Sequence, residues 1–441
     1  MEGSVVNHNH ETLGDWLAWL ETLHPKNIEL GLSRIQKVAD RLQLSEQIAA
    51  NNCSITTVAG TNGKGSFVRT LESLLIDSGE TVGGFTSPHF LHYNERIRVN
   101  GKDASDRIIV DAFQEINEAR QDTSLTYFEF GALAAVLVFL KEKVKHIVLE
   151  VGLGGRLDAV NIFDADITAI TSIDLDHQDW LGSTRELIGF EKAGIFRPRK
   201  PAIVVDEDIP KSILTHAKAV GANLFIKYKN LDWVINSDTW TWKGQNLSER
   251  LAEIDKDQFI VLKNLPLPQL PLPSVAAALQ AFVLLGGNVE YATIAKSLSS
   301  LSLMGRFQQR QIKGRNFALD VAHNPAAAKY LANKLESLAV GKVIAVFAVM
   351  NDKDYLQIMG TLSKAVDYWM VCGLQDIPRA ATSDDLKKAL KALGLAGESF
   401  STVKDGVAAA LDHATRKDLI LVLGSFFTVA EVLSEEGFTS A

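Results

Sequence analysis

Residues 54–66 read Ser54-Ile-Thr-Thr-Val-Ala-Gly-Thr-Asn-Gly-Lys-Gly-Ser66. Ile55, Thr57 and Val58 supply the β-branched side chains of a strand. Gly60, Gly63 and Gly65 then break the pattern, and Phe67 to Ile76 places Val68, Leu71, Leu74 and Leu75 at helical spacing. Strand, glycine loop and helix together predict a polyphosphate cradle. Glycines let backbone N–H groups face an anion, and the helix N-terminus adds a favourable dipole. Lys64 would pair with the β- and γ-phosphates, and Ser66 would offer its hydroxyl to phosphate or Mg²⁺. The stretch departs from the common P-loop pattern. Val58 stands where the first glycine is expected, and Gly65 rather than Ser or Thr follows Lys64. A plain glycine turn is the alternative; the strand before and the helix after favour phosphate binding.

Outward from this stretch the chain alternates strands and helices. Helices are expected at 11–22, 31–44, 106–119, 128–142 and 184–194, with strands at 81–86, 146–152, 166–172 and 201–205. Such alternation predicts a doubly wound, mostly parallel sheet. Residues 228–263, with Trp233, Trp240 and Trp242 among polar residues, suggest a small antiparallel insertion. The proline-rich run 265–273 follows, then helices near 274–286 and 290–300. A second α/β unit has strands at 316–321, 342–349, 368–373 and 419–423. The fold class read here is therefore α/β. A P-loop-type domain spans residues 1–300, and a smaller Rossmann-like domain spans 301–441, with a hinge near Ser299–Gly305.

Composition narrows the function classes. With 441 residues, two or three domains are expected. A formal charge of −8 argues against broad nucleic-acid binding. Cys53 and Cys372, the two cysteines, give no disulfide framework and suit a reducing cytosol. Met1–Ser4 carries no basic, apolar leader pattern, and the longest apolar run, Phe130–Leu140, is too short to span a bilayer. A cytoplasmic protein without nucleic-acid or membrane partners is expected.

Polar residues collect at the ends of the expected strands, where open α/β sheets bind ligands. Ser87, Glu150 and His177 follow three strands and are candidate ligands for a hard cation beside the Lys64 loop. Each also has an ordinary reading: Ser87 before Pro88 as a turn residue, His177 as a surface loop residue. Glu150 is the most telling, because a carboxylate in an apolar strand is costly unless paired or on a metal. Lys192 alone would read as a solvated helical lysine. In the second unit Arg306 and Asp320 could serve a nucleotide, or act as a surface arginine and a helix cap.

These stretches resemble the Mur ligase superfamily and, within it, the folylpolyglutamate synthase/dihydrofolate synthase family. The resemblance rests on Gly60–Ser66, Thr86-Ser-Pro-His89, Glu150-Val-Gly-Leu-Gly-Gly-Arg-Leu-Asp158, Glu191-Lys-Ala-Gly-Ile-Phe196, Gly305-Arg-Phe307 and Asp320-Val-Ala-His-Asn-Pro325. It covers nearly the whole chain. Thr86–His89 and the Glu150 stretch are similar to the folate branch rather than the cell-wall branch.

The resemblance implies ATP-dependent amide formation through an acyl phosphate, which L-glutamate attacks, and a domain closure that shields the labile intermediate from water. It implies catalytic roles for Lys64, His177, Lys192 and His323. The nucleotide would be held by Thr61, Asn62, Gly63, Lys64, Gly65, Ser66, Ser274, Arg306 and Asp320. Pterin and glutamate contacts would come from Thr22, Leu23, His24 and Pro25 in a turn running to Asn27, from Thr126, Tyr127, Phe128 and Glu129, from Leu157, Asp158 and Ala159, and from His323 and Ser425. Ser87 and Glu150 would hold a first Mg²⁺. His177, Glu150 and a Lys192 carboxylated by CO₂ would hold a second. A monovalent cation is a further cofactor the resemblance admits. Ser274 departs from the family, in which Asn often stands near the adenine. The substrates implied are 7,8-dihydropteroate, reduced folates and L-glutamate, handled by a monomer. A synthase acting on reduced folates only, another Mur-type ligase, and an ATP-gated binding protein are the competing readings.

Overall fold

Thr56 to Ala59 are buried without a break, as befits a central parallel strand covered on both faces. The computed structural model describes residues 10–26, 28–246, 259–375 and 377–435. Met1–Ser4, Asn27 and residues 247–258 of the insertion therefore lie outside the described residues. In the first unit β1 (Ser54–Ala59) is followed by β2 (Val82–Phe85), β3 (Ile97–Val99), β4 (Lys102–Asp103), β5 (His146–Glu150), β6 (Ile167–Ile170), β7 (Pro201–Val204) and β8 (Asn223–Ile226). They form one sheet in the order β4-β3-β2-β5-β1-β6-β7-β8. All pairs from β2 to β8 are parallel; β3 and β4 are antiparallel additions at one edge.

Two consecutive glycines show why helices can cover both faces. Side chains alternate across a strand. A Cβ on Gly83 would collide with Phe139 of the helix Tyr127–Lys141, and one on Gly84 with Glu72 of the helix Lys64–Asp77. The helix Tyr127–Lys141 is buried along Glu129–Leu140, which accounts for its unbroken apolar sequence. Among the described residues no helix is long and apolar enough to cross a membrane.

The insertion adds β9 (Leu231–Asn236), β10 (Thr239–Gln245) and β11 (Phe259–Pro266), an antiparallel sheet in the order β11-β10-β9. Its tryptophans are structural. Trp240 Nε1 donates to Pro266 O (3.0 Å), and Trp242 Nε1 to Ala276 O (3.1 Å) on the helix Leu272–Leu284.

Three local expectations need correction. Residues 31–44 form two helices, Ser33–Arg41 and Leu44–Ala50, because Gln43 takes a left-handed φ of 53° between them. The helix after the glycine loop begins at Lys64, not Phe67, with Gly63 at its N-cap. The edge hairpin of β3 and β4 was not expected at all.

The second unit comprises Phe90–His92 and the described residues from Ser302 on. Its strands are β12 (Gln308–Ile312), β13 (Arg315–Leu319), β14 (Val343–Phe347), β15 (Tyr368–Cys372), β16 (Gly397–Phe400) and β17 (Leu419–Leu423), in the order β12-β13-β17-β14-β15-β16. Only β12 runs antiparallel to its neighbour. Apolar cores lie on both sheet faces, around Trp369 and Phe347 on one and around Ile344 and Val346 on the other.

Candidate active site

The glycine loop closes on itself around Lys64, whose Nζ donates to Gly60 O (2.9 Å). Gly60 and Gly63 hold φ of 154° and 88°, the left-handed region where a side chain is strained. A Cβ at Gly60 would collide with Thr171 Oγ1, and one at Gly63 with Ser274 Oγ. Ser274 is thus placed against the N-terminus of the Lys64–Asp77 helix. The end of β6 braces the loop. Thr61 N–H donates to Ser172 O (2.8 Å), Asn62 N–H to Ser172 Oγ (2.9 Å), and Thr171 Oγ1 to Asn62 O (2.6 Å). Ser66 Oγ and Thr57 Oγ1 are buried with no hydrogen-bond partner. An unsatisfied buried hydroxyl costs about 1–3 kcal/mol. A phosphate oxygen or a cation at Ser66 would remove that cost, so the loop fits the group its sequence implies.

Glu150 closes β5, and the register Phe85↔Leu149 sets Ser87 beside it. The buried carboxylate accepts the Ser87 N–H at Oε2 (3.2 Å). Lys192, on the helix Arg185–Ala193, is buried too. Burial brings its ammonium down to about 7; Lys64 pushes the same way, while Asp176 and Asp158 oppose it. Asp158 is pushed up to about 7 by burial, against the N–H groups of Leu153 (2.8 Å) and Val160 (3.1 Å) and the charge of Lys64. Lys192 therefore lies in the fields of Lys64, Asp176 and Asp158, and Asp158 in that of Lys64. His177 is exposed, caps the short helix Gln178–Leu181 with φ 50°, and stands 3.9 Å from Asp176 Oδ2. Among the described residues no three His, Cys, Asp or Glu side chains gather into a ready metal cluster. A cation here would draw on mixed donors: the Ser87 hydroxyl, the Glu150 carboxylate, the His177 imidazole and nucleotide phosphate. That oxygen-rich set suits a hard divalent ion.

The three stretches expected at the pterin are drawn together. Ser124 Oγ donates to Leu23 O (3.2 Å), and Gly31 N–H to Leu157 O (3.3 Å). Arg34 donates to Glu29 Oε1 (2.8 Å) and to buried Glu129 Oε1 (3.1 Å). His24 Nε2 lies 3.6 Å from Glu29 Oε2. Thr22 Oγ1 turns back to Trp19 O (2.8 Å), and Pro25 is exposed; Asn27 lies outside the described residues. Thr126 and Glu129 form a capping box on the Tyr127–Lys141 helix. Phe128 packs on Phe85 (5.6 Å) and over Gly152, Arg96 lies 5.5 Å from the Tyr127 ring, and Ala159 is buried behind Asp158.

In the second unit Asp320 and Ser425 follow β13 and β17, which are neighbours. Asp320 accepts from Phe307 N–H and Ala322 N–H, both 2.8 Å. Burial raises its pKa, opposed by Arg306 and these N–H groups. Arg306 sits over the Phe426 ring at 5.1 Å. His323 Nδ1 meets Val321 O (2.8 Å), which makes Nδ1 the donor and Nε2 the basic nitrogen of the neutral ring. Ser425 caps the last helix, accepting from Thr428 N–H (3.0 Å).

The Mur ligase middle domain matches residues 58–255, and the Mur ligase glutamate ligase domain residues 305–426. The dihydrofolate synthase/folylpolyglutamate synthase of Escherichia coli (strain K12) is 43% identical over 422 residues, 96% of this chain and 94% of that protein. The chain belongs to the dihydrofolate synthase/folylpolyglutamate synthase family. Solved structures agree. E. coli FolC in complex with DHPP and ADP superposes with a TM-score of 0.87 at 42% identity, over 96% of this chain and 97% of that one. The Yersinia pestis bifunctional folylpolyglutamate synthase/dihydrofolate synthase complexed with AMPPNP and Mn ion gives 0.86 at 42% identity, over 96% and 98%.

For a member of this family the sequence reading passed over several residues that shape the site. Thr171 and Ser172 hold the glycine loop, Asp176 acts on Lys192, and Arg34 ties Glu129 to the segment after Pro25. Asp176 directly precedes His177, which the sequence does single out. Nothing in the local sequence marks Arg34, whose partners stand 5 and 95 residues away.

Proposed function

We propose that the protein is an ATP-dependent ligase that joins L-glutamate to 7,8-dihydropteroate, giving dihydrofolate, and to reduced folates, giving polyglutamates. The observation that carries this reading is one of placement. Ser87, Glu150, the Lys64 loop and the Asp174–His177 loop stand at the same ends of β2, β5, β1 and β6, four consecutive strands. The γ-phosphoryl group of ATP passes to a substrate carboxylate oxygen, breaking the bond to ADP. The glutamate amine then bonds to the acyl carbon, loses a proton, and phosphate departs.

Lys64 and the loop N–H groups would bind the phosphates and stabilise charge that grows on the transferred group. Ser87 and Glu150 would hold one Mg²⁺, and Glu150, His177 and a carboxylated Lys192 a second. Bound there, the cations would neutralise phosphoryl charge and orient the reacting oxygens. Lys192 is suited to carboxylation because CO₂ bonds to a neutral amine, and burial already favours that form. Arg306, Asp320 and Ser274 are assigned to the nucleotide. The 22–25, 126–129 and 157–159 segments are assigned to the pterin, with His323 and Ser425 at the glutamate end. A monovalent cation, a cytoplasmic location and a monomer complete the proposal. Sedimentation at about the chain mass of 48.2 kDa would support the last point, and twice that mass would refute it.

The direct test is ADP release with ATP and Mg²⁺. Release is expected only when a folate-type acid and L-glutamate are both present. Release with ATP alone, or with only one of the two added, would identify a different ATPase. A synthase acting on reduced folates only is the second reading, and turnover of 7,8-dihydropteroate separates the two.

A further inference from the structure

The loop that carries His177 is anchored at a residue the reaction itself does not use. Ile173 lies three residues past β6 and four before His177. Both of its peptide groups are held. Its N–H donates to Asp206 Oδ2 (2.7 Å), and its carbonyl accepts from Arg185 Nε (2.9 Å). Arg185 Nη2 donates to Asp206 Oδ1 (2.7 Å), closing a ring of three residues, and Nη1 donates to Asp208 Oδ2 (2.6 Å). Arg185 opens the helix Arg185–Ala193 that carries Lys192, and Asp206 follows β7. The other side of the loop base is fixed separately, by Asp174 N–H donating to Thr61 Oγ1 (3.0 Å).

The choice of arginine is informative. The first turn of a helix is the positive end of its dipole and disfavours a cation. Arg185 stands there all the same, its fork directed at a backbone carbonyl and two carboxylates. A guanidinium carries its donors on three separate nitrogens in a planar fork, as these contacts use them, whereas an ammonium carries all of its donors on one. A local rule broken in this way is expected where a site needs rigidity. The side chain of Asp206 is 9% exposed, so its carboxylate is largely shielded from water; Arg185 is 32% exposed, and Asp208, at 90%, adds little.

We infer that Arg185 and Asp206 are positioning residues that fix the His177 loop against the Lys192 helix, and so set the geometry of the second cation site. The inference rests on the cation-centre reading above. Neither residue would touch metal or substrate. Loss of the ring would leave His177 and Lys192 chemically intact but free to drift apart, as when an outer partner of a metal ligand is removed.

The test uses the full chain. Mn²⁺ binding in the presence of AMPPNP, followed by electron paramagnetic resonance, is compared for wild type, Arg185→Met, Arg185→Lys and Asp206→Asn, with kcat and the KM for ATP alongside. Wild type should take two Mn²⁺ per chain. In Arg185→Met the weaker should bind about tenfold less tightly, the range seen for outer-shell partners. Its kcat should fall by at least about as much, with KM for ATP within about twofold. Arg185→Lys should recover part of the affinity. If Arg185→Met does not fold, the near-isosteric Asp206→Asn carries the test, with a weaker second site expected. Unchanged second-site affinity in the folded variants would overturn the inference while leaving the cation centre standing. A single Mn²⁺ in wild type would overturn the cation-centre reading and the inference with it. Lower signal amplitude at an unchanged midpoint would mean lost folded protein only, and would count against a positioning role.

Discussion

Lys192 illustrates how environment changes what a side chain can do. Burial first, and then the Lys64 charge, bring its ammonium from 10.5 down to about 7. The neutral fraction therefore rises as pH increases through about 7, and carbamate formation should rise with it. With ¹³C-labelled CO₂ a carbamate resonance is expected at pH 8 and a much weaker one at pH 6; equal intensity at both, or none, would count against carboxylation. Lys192→Ala should lose turnover and regain part of it with acetate or propionate, whereas recovery with amines alone would indicate an ammonium role. Lys64→Ala should lower kcat roughly 10²–10³-fold, the usual effect of deleting one preorganised charge partner. Near-normal turnover would remove Lys64 from the chemistry. The two lysines also differ in how readily sequence exposes them. Lys64 follows a strand and a glycine loop, a pattern with a physical reason. A lysine inside a helix is ordinarily solvated, so Lys192 stood out only through family resemblance. Its burial depends on the packing of distant segments.

Elements were legible where their signal was long and periodic. β1, β5 and the Tyr127–Lys141 helix announce themselves by unbroken or evenly spaced apolar residues. β3 and β4 have three and two residues, too few for a period, and the hairpin went unexpected although an Asn-Gly pair stands at its turn. Asn100 and Gly101 take φ of 49° and 76°, the conformation that an Asn-Gly pair favours in a tight hairpin. The break at Gln43 had no such mark, because a left-handed glutamine is set by the packing of the two helices it joins. At this scale the capping box of Thr126 and Glu129 can be tested. Thr126→Val removes the acceptor for Glu129 N–H (3.2 Å) and should cost about 1 kcal/mol in urea unfolding. If the 126–129 segment meets the pterin, KM for dihydropteroate should rise while KM for ATP stays put. Equal shifts in both would assign the segment a structural role only. Gly63→Ala should be harsher: it strains φ of 88° and forces a methyl group onto Ser274. Loss of nucleotide binding, read by fluorescence of a labelled ATP analogue, is expected; wild-type affinity would show that the loop can relax.

At the scale of the molecule, alternation of strands and helices was enough to give a doubly wound sheet, and a composition change near residue 228 was enough to give the insertion. Strand order was not legible, since it depends on crossovers that no local pattern records. That order matters most for function, because it sets β2, β5, β1 and β6 side by side and so brings Ser87, Glu150, Lys64 and His177 to the same sheet end. Under the proposed function these residues serve two ligations in sequence. ADP release by the purified protein with ATP, Mg²⁺ and L-glutamate tests it most directly, with 7,8-dihydropteroate as the acid in one vessel and tetrahydrofolate in the other. Turnover in both is the predicted result; turnover with tetrahydrofolate alone would contradict the bifunctional reading and release the 22–25, 126–129 and 157–159 segments from their assigned role.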